Sequence, residues 1–510
     1  MDLAVLFGVC LLVSGVAIRL GILLAGHLGI MDRPGGHKQH EAVTPFVGGF
    51  GIIAVVVGIF LLADRLFSGF PMLPLQGLFL GALVLFLTGL ADDIWHLHFK
   101  PRLVIQALVA LSMIFIGGVE LRSLGQLAPG ITIDPGFLAI PLTVFATVGL
   151  INAVNMIDGI DGLSGSVSLV SLAFAAWLAH HGSNGGYVVL IVALMGGVGG
   201  FLYYNLRYPG NRRARVFLGD NGSMLLGFVF AWLFIALSQG EDAAMTPTTA
   251  LWIFALPLMD TVGVMLRRIW LGKSPFRPDR HHLHHLFFRA GFRVCDIVVF
   301  AVLAQLVLAL LGIGGLLLGV PEYLMFWSFM GVFGVYFLVI ARPWRFVPWL
   351  RRINRRFGLP SVQVRGIFVG YVCREKFREV LDLIADRLGS AYDYQLRVYR
   401  TDRSTSDGRN LYCVVRVPAA GNDSLIGAVR RGALRVRRLL RQPEVEVRLF
   451  LRRDRGQDPR ASKLSPVGIS GDRRSADRRR LRSTLIYSTE GGEEIIESNR
   501  SRFQVSVPPA

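Results

Sequence analysis

Residues 152–163 read NAVNMIDGIDGL, a cluster of two asparagines and two aspartates that ends an apolar run beginning near Phe137. Such a run is typical of a membrane-spanning helix, and polar residues at its end are costly unless they have a function. Asn152, Asn155 and Asp158 recur every three residues, so they lie within about 120° of arc on one helical face. A polar cap would explain one of these residues, but not the series. The stretch therefore predicts a membrane protein with a polar site at the end of a span.

Two glycines follow this helical face. Gly159 and Gly162 are expected to break the helix and to let the backbone approach a ligand, with Asp161 presented between them.

The rest of the chain is equally apolar: 53% of its 510 residues are hydrophobic, 17% are charged, and the mean hydropathy is +0.51. This composition predicts an all-α polytopic membrane protein. The first run is longer than a signal-peptide core and is followed by many others, so we expect it to be retained. About eleven transmembrane helices are predicted, at 3–27, 47–64, 76–91, 103–119, 136–154, 165–180, 186–204, 222–238, 248–266, 294–318 and 322–341.

Loop charges predict the orientation. The loops at 31–46, 92–102, 155–164, 205–221 and 267–293 carry 15 Lys and Arg residues, whereas the opposite loops carry only Arg65 and Arg122. By the positive-inside rule, the first set and the C-terminal region face the cytoplasm. The four cysteines are far apart and suit neither a zinc site nor a disulfide framework, so free thiols are expected.

Four regions are predicted. Residues 1–341 form the membrane domain, and residues 342–361 form a basic juxtamembrane segment, either an interfacial helix attracted to anionic lipid or a plain stop signal. Residues 362–453 alternate strand-like and helical runs in the order βαββαβ, which predicts a small ferredoxin-like α+β domain in the cytoplasm. Residues 454–510 are rich in Arg, Ser and Asp, so we expect them to be largely disordered.

Two further polar motifs lie in the first cytoplasmic loops. MDRPGGHKQHEAVTPFVGG (31–49) places Lys38 and His40 on a loop that could hold phosphate oxygens, although a plain basic loop has the same composition. GLADDIWHL (89–97) places Asp92 and Asp93 side by side at the end of a span, where like charges repel unless a cation or proton relieves them. Adjacent helical residues point about 100° apart, so the two acids should have different roles.

The last two motifs combine helix amides, a carboxylate and a basic histidine cluster. RVFLGDNGSMLLGF (215–228) places Asp220 at a helix start, where amides attract phosphate and the carboxylate attracts a hard cation; a simple N-cap is the alternative. SPFRPDRHHLHHLFFRAGF (274–292) has histidines among arginines and no Cys, which favours anion binding over zinc. Arg267, Arg280 and His281 belong to this cluster. Together the motifs predict Mg²⁺-dependent phosphoryl transfer at the inner membrane surface.

In this order, DRPGGHKQH, DDIWHL, NAVNMIDGIDGL, FLGDNGS and SPFRPDRHHLHHL resemble the polyprenyl-phosphate N-acetylhexosamine-1-phosphate transferases over about residues 1–341. PDRHHLHHL is more similar to members that use UDP-GlcNAc than to the phospho-N-acetylmuramoyl-pentapeptide translocase. The resemblance implies attack of undecaprenyl phosphate on a UDP-N-acetylhexosamine with release of UMP, as the first membrane step of a cell-surface glycan. It differs at His37, where a basic Arg is more usual, and it does not extend to residues 342–510.

The resemblance also implies roles for the motif residues. Asp220 and Asn155 would hold Mg²⁺, which Mn²⁺ could replace, and Asp92 and Asp93 would orient or deprotonate the lipid phosphate. The resemblance further implies that Asp158 holds the shape of the site and that His282 and His284 bind or polarise the diphosphate. The substrate-binding residues would be Lys38, His40, Asn152, Gly159, Asp161, Phe217, Arg267, Arg280 and His281, with Phe217 and Asp161 on the uracil.

The implied partners are undecaprenyl phosphate, the UDP-sugar, membrane lipids, a protein partner of the C-terminal domain and a second copy in a homodimer, but no nucleic acid. The implied location is the bacterial inner membrane. Three alternatives stay open at this point: the same chemistry with MurNAc-pentapeptide, GalNAc or a modified amino sugar; an ion-coupled transporter; and a membrane scaffold for the basic tail.

Overall fold

The computed structural model describes residues 2–32, 44–66, 72–182, 184–209, 211, 213–275 and 281–357, together with the strand segments 363–372, 395–401, 411–419, 446–451, 483–488, 496–497 and 502–503. Three predicted substrate-binding residues, Lys38, His40 and Arg280, lie outside this part of the chain. The chain divides into two compact units: one contains Met1–Arg33 and Val43–Ile353, and the other contains Pro34–Ala42 and Asn354–Ala510.

The first unit is helical. Its helices are α1 Leu3–Leu28, α2 Gly48–Leu61, α3 Ala63–Leu66, α4 Met72–Trp95, α5 Phe99–Phe115, α6 Ala139–Ile157, α7 Leu163–His181, α8 Gly185–Asn205, α9 Gly219–Ser238, α10 Pro247–Ile253, α11 Ala255–Trp270, α12 Leu283–Ala290, α13 Val294–Leu317, α14 Glu322–Ala341 and α15 Pro343–Arg356, with a 3-10 turn at Gly136–Leu138. Two small hairpins, β1 Met31–Asp32 with β2 Thr44–Pro45 and β3 Gln126–Ala128 with β4 Ile131–Thr132, complete it.

Each of the eleven predicted apolar segments coincides with a helix or a helix pair. Within the described residues, eight helices are long and apolar enough to cross a membrane, or nine when α10 and α11 are taken as one broken span. The chain is therefore a polytopic membrane protein, and the count of eleven spans stays a prediction. The basic segment after α14 forms α15, but its contact with lipid also stays a prediction.

Helix α9 is the centre of this unit. It packs against α2, α4, α6 and α10. Of the residues in its most apolar 18-residue stretch, 94% are buried inside the protein. Gly89 of α4 lets the two backbones touch, because a Cβ at this position would lie 2.4 Å from the backbone of Asn221. This close approach brings the end of α4, which carries Asp92 and Asp93, against the start of α9.

The break between α10 and α11 bends the chain by 86°. Polar side chains satisfy the backbone groups that the break releases: Ser171 Oγ and Gln305 Nε2 donate to the Ile253 carbonyl oxygen, and Gln305 Oε1 accepts from the Leu256 N–H. A broken helix inside a membrane protein requires such partners.

The second unit contains an antiparallel sheet. Its strands are β5 Gln363–Val372, β6 Gln395–Thr401, β7 Leu411–Ala419, β8 Glu446–Leu451, β9 Ser483–Ser488, β10 Ile496–Glu497 and β11 Arg502–Phe503, in the order β11-β10-β9-β6-β7-β5-β8.

All four strands of the predicted βαββαβ domain are present in this sheet. Strand β7 separates β5 from β6, and β5 separates β7 from β8, which is the order of two split βαβ units. Both predicted helices lie outside the described residues, so the ferredoxin-like fold stays a prediction. Strands β9 to β11 fall in the tail that we expect to be largely disordered; the rest of that tail also lies outside the described residues.

Candidate active site

The two adjacent aspartates at the end of α4 have separate environments. Asp92 is 3% exposed and forms an ion pair with the guanidinium group of Arg102, near the start of α5. Arg102 Nη1 also lies 3.6 Å from Asp220 Oδ2. Arg102 therefore links two carboxylates, and its charge offsets the repulsion that adjacent acids would otherwise create.

Asp93 contacts the start of α9. Its Oδ1 accepts from the Asp220 N–H at 2.9 Å, and its Oδ2 accepts from the Asn221 N–H at 3.1 Å and from Asn221 Nδ2 at 2.5 Å. The amides at this helix start were expected to attract phosphate, but two of them donate to Asp93. The interaction is an N-cap supplied by another helix, and it fixes the backbone of Asp220.

Asn155 of α6 completes the acidic group. Its Nδ2 donates to Asp220 Oδ1 and, at 2.9 Å, to Ser223 Oγ. The Asp220 side chain keeps 30% of its surface exposed. Asn152, one turn earlier, donates instead to Gln106 Oε1 and to the Val148 carbonyl oxygen, both at 2.8 Å. On the predicted polar face of α6, Asn155 therefore contacts α9, whereas Asn152 contacts α5.

The loop after α6 is held at both ends. Asp158 Oδ1 accepts from Ser164 Oγ at 2.5 Å. Burial raises the pKa of Asp158 to about 7; the Ser164 hydrogen bond opposes this increase, and the charges of Asp161 and Asp93 add to it. The φ angle of +82° at Gly162, immediately before α7, explains the glycine there.

The other end of this loop is tied to the segment between α8 and α9. Asp161 Oδ2 accepts from Arg207 Nε at 2.7 Å and from the Ala214 N–H at 3.2 Å. Asn205 Oδ1 accepts from the Gly162 N–H at 2.6 Å, and Asn205 Nδ2 donates to the Val216 carbonyl oxygen at 2.8 Å. The two polar motifs at 152–163 and 215–228 therefore form one connected surface.

The histidine cluster meets this surface at Gly159. A Cβ on Gly159 would lie 2.5 Å from His284 Cε1, so the imidazole rests directly on the glycine. His284 is 4% exposed, and its Nδ1 has no hydrogen-bond partner within the described residues. Burial lowers the pKa of His284 to about 3, His285 and His282 act in the same direction, and Asp260 opposes them. His284 is therefore neutral at physiological pH.

His282 lies beside His284, with ring centroids 5.8 Å apart and an interplanar angle of 7°. Its Nδ1 is 2.9 Å from Asp260 Oδ2. Arg267 and His281, which we expect to bind substrate, are partly buried at the end of α11 and just before α12.

Phe217 lies just before α9. Its ring faces that of Phe46 with the centroids 6.0 Å apart, and its backbone carbonyl accepts from the Gly48 N–H at the start of α2.

The polar side chains offer only part of a metal site. Across the residues that the structure describes, no three His, Cys, Asp or Glu side chains converge into a complete metal cage. The nearest fit is Asp220 with Asn155, a pair of hard oxygen donors with exposed surface. Mg²⁺ is commonly held by one or two carboxylates together with substrate phosphates, so this pair fits that ion.

Comparison with known proteins identifies the family of this chain. The profile of glycosyl transferase family 4 matches residues 75–238, from α4 through α9. An undecaprenyl-phosphate alpha-N-acetylglucosaminyl 1-phosphate transferase from Yersinia pestis is 37% identical over 336 residues, which cover 66% of this chain and 90% of that protein. Proteins of the same name from Haemophilus influenzae and Escherichia coli K12 are 38% and 36% identical over 334 and 335 residues, covering 65% of this chain and 92% and 89% of their own lengths. The chain belongs to this transferase family.

Membership in the transferase family confirms the resemblance drawn from the five motifs. About a third of this transferase-family chain lies outside the match to those relatives.

Sequence reasoning missed two residues that the structure places beside the acids and histidines. Arg102 follows Asp92 by ten residues, and a cation near a pair of adjacent acids was a signal that could have identified it. Asp260 is an acid inside an apolar span, which by itself marks a functional candidate.

Proposed function

We propose that this protein transfers N-acetylglucosamine 1-phosphate from UDP-N-acetylglucosamine to undecaprenyl phosphate, forming the lipid diphosphate sugar and UMP. The observation that carries the proposal is the meeting of Asp92, Asp93, Asp220, Asn155 and Arg102 at the ends of apolar helices. The names of its relatives support this acceptor and this sugar. A site at a membrane boundary suits a reaction whose acceptor dissolves in the bilayer and whose donor dissolves in water.

Mg²⁺ is the proposed metal, with Asp220 and Asn155 as its protein ligands. When bound, the ion would neutralise charge on the transferring phosphate and its leaving group. Asp93 would act through the α9 amides, because its three hydrogen bonds hold the backbone that carries Asp220. This role is positioning rather than proton abstraction.

Little proton abstraction is needed in this reaction. The second pKa of a phosphate monoester is near 6, so undecaprenyl phosphate is mostly a dianion at neutral pH. Asp92 is almost fully buried and its carboxylate is already engaged in an ion pair with Arg102. Arg102, whose guanidinium group also approaches Asp220, is better suited to attract the incoming lipid phosphate.

The nucleotide sugar is proposed to lie along the surface that joins the loop after α6 to the histidine cluster. Gly159 lets the His284 ring lie directly against the backbone, and the neutral His284 can donate or accept a hydrogen bond without bringing a buried charge. Asp161 Oδ2 is occupied by Arg207 and Ala214, so its second oxygen would face the uracil. Phe217 would supply the stacking ring.

We place the site at the cytoplasmic face of the bacterial inner membrane, because the basic loops lie on the same side as the polar motifs. The product would start a cell-surface glycan. No observation in the described residues favours transport or a scaffold role over this transfer, and UDP-GalNAc, UDP-MurNAc-pentapeptide and modified amino sugars are the alternatives for the donor.

The test is direct. Purified protein in nanodiscs is incubated with undecaprenyl phosphate, Mg²⁺ and each radiolabelled UDP-sugar, and labelled lipid and free UMP are measured. We expect both products with UDP-GlcNAc, in equal amounts, and neither from Asp220→Ala. The exposed Arg122→Ala variant, on the opposite face, is the matched control and should keep the wild-type rate. Absence of lipid product with every donor would overturn the proposal.

A further inference from the structure

The carboxylate of Asp260 joins three elements of the membrane domain. It lies in α11, is 1% exposed, and has both oxygens in use. Oδ2 is 2.9 Å from His282 Nδ1, whereas Oδ1 accepts from the Leu283 N–H at 2.9 Å and from the Tyr336 hydroxyl of α14 at 2.7 Å. An acid buried in a span is costly unless it is this well satisfied, and such acids commonly have functional roles.

The contact with Asp260 fixes the tautomer and the orientation of His282. A carboxylate at Nδ1 holds the proton on that nitrogen and limits rotation of the ring. The His282 ring is stacked parallel to that of His284, and His284 rests on Gly159 of the proposed nucleotide-sugar surface. Asp260 is therefore connected to the proposed nucleotide-sugar surface through the histidines.

We infer that Asp260, braced by Tyr336, is a positioning residue that fixes the orientation of the His282 ring beside the proposed nucleotide-sugar surface. This inference rests on the proposed function. It assigns a role to an acid and a tyrosine that lie outside the five sequence motifs, and it makes α14 part of the support for the site.

The charged and polar groups around His282 predict how its protonation depends on Asp260 and Tyr336. Asp260 from α11 favours the protonated imidazole, whereas the neutral His284 ring from α12 brings no charge of its own. The Tyr336 hydroxyl from α14 shares the charge of Asp260 and weakens its attraction for the His282 proton. Removing the carboxylate should therefore make His282 lose its proton at lower pH, and removing the hydroxyl should have the opposite effect.

The experiment compares Asp260→Asn, Tyr336→Phe and a matched control, Thr261→Val, in the UMP-release assay across pH. Thr261 is buried next to Asp260, and its hydroxyl has no partner within the described residues. For Asp260→Asn we expect kcat to fall about 10- to 100-fold with a smaller change in KM for UDP-GlcNAc, as for loss of a supporting carboxylate. The alkaline limb of its pH profile should move to lower pH. Tyr336→Phe should move that limb to higher pH, and Thr261→Val should leave it in place.

The outcomes separate the two claims. If the wild-type protein forms no UMP, the proposed function fails and this inference fails with it. If the wild-type protein is active and Asp260→Asn keeps its kcat and its pH profile, this inference alone is overturned. If Asp260→Asn does not fold, Tyr336→Phe decides the question. If the alkaline limb of the Tyr336→Phe pH profile stays in place or moves to lower pH, the contacts of Asp260 are purely structural and the inference is overturned.

Discussion

Replacing Asp93 with Asn separates a positioning role from direct contact with substrate. In the structure this carboxylate accepts three hydrogen bonds from Asp220 and Asn221 at the start of α9. Asparagine has one acceptor oxygen. If that oxygen keeps the two contacts with Asn221, the amide nitrogen faces the Asp220 N–H, and two donors then oppose each other.

The structure sets the size of the effect. One hydrogen bond to a charged group is lost, and so is the attraction between the carboxylate and the α9 dipole, which together amount to about 2–4 kcal/mol of the free energy of unfolding. The Asp220 backbone also loses its support. Because a displacement of about 1 Å can reduce a rate about 100-fold, we expect a comparable loss of UMP release.

The assay pairs thermal unfolding in detergent with UMP release, and Asp92→Asn is the comparison. Asp92 contacts Arg102 rather than the α9 amides, so its substitution should affect the rate without removing the cap of α9. An inactive Asp93→Asn protein with the wild-type unfolding temperature would refute the reasoning, since Asp93 would then act on the substrate and not through α9.

Three further predictions follow from the same site. Gly159→Ala places a methyl group 2.5 Å from His284 Cε1, so the buried ring must move, and UMP release should fall about 100-fold; a wild-type rate would mean that the ring position does not matter. Asp220→Asn should raise the Mg²⁺ concentration for half-maximal rate at least about tenfold, measured by titration after EDTA treatment, and an unchanged requirement would exclude Asp220 as a ligand. The pKa of His284 is about 3 when folded and 6.5 in its ordinary range, so the unfolded chain binds the extra proton and stability falls as pH drops below 6.5. His284→Gln should therefore flatten the acid side of a chemical-denaturation profile, and an unchanged slope would contradict the assignment.

The sequence predicted the helices well because membrane spans leave a strong apolar signal. The resemblance to the transferase family implied that Asn155 and Asp220 belong together, although 65 residues separate them, and the structure brings them into contact. Asn152 shows the limit of this reasoning. Helical spacing places it on the same face as Asn155, but which neighbouring helix that face meets depends on packing, and Asn152 meets α5.

Arg102 and Asp260 show a second limit. Their partners are ten and twenty-two residues away along the chain, and the contacts arise from the way helices turn back on each other. Sequence alone identifies a charged residue in a span, but only packed helices identify the group that it contacts. In the C-terminal sheet, alternation within each segment is a local signal that predicts the strands, whereas their order depends on pairing between distant segments.

The enclosure of α9 has a consequence for biosynthesis. Three of the helices that surround α9, namely α2, α4 and α6, precede it in the chain. These helices therefore enter the membrane before α9 does. A nascent chain that stops short of Gly219 would present an open groove between these helices and would leave Asp93 without the α9 groups that donate to it, whereas Asp92 would keep Arg102. Docking of the newly inserted helix would then displace lipid, bring its amides to Asp93 and deliver Asp220, so that completion of the site reports completion of the bundle. Cellular quality control could recognise a stalled or truncated chain by that open groove.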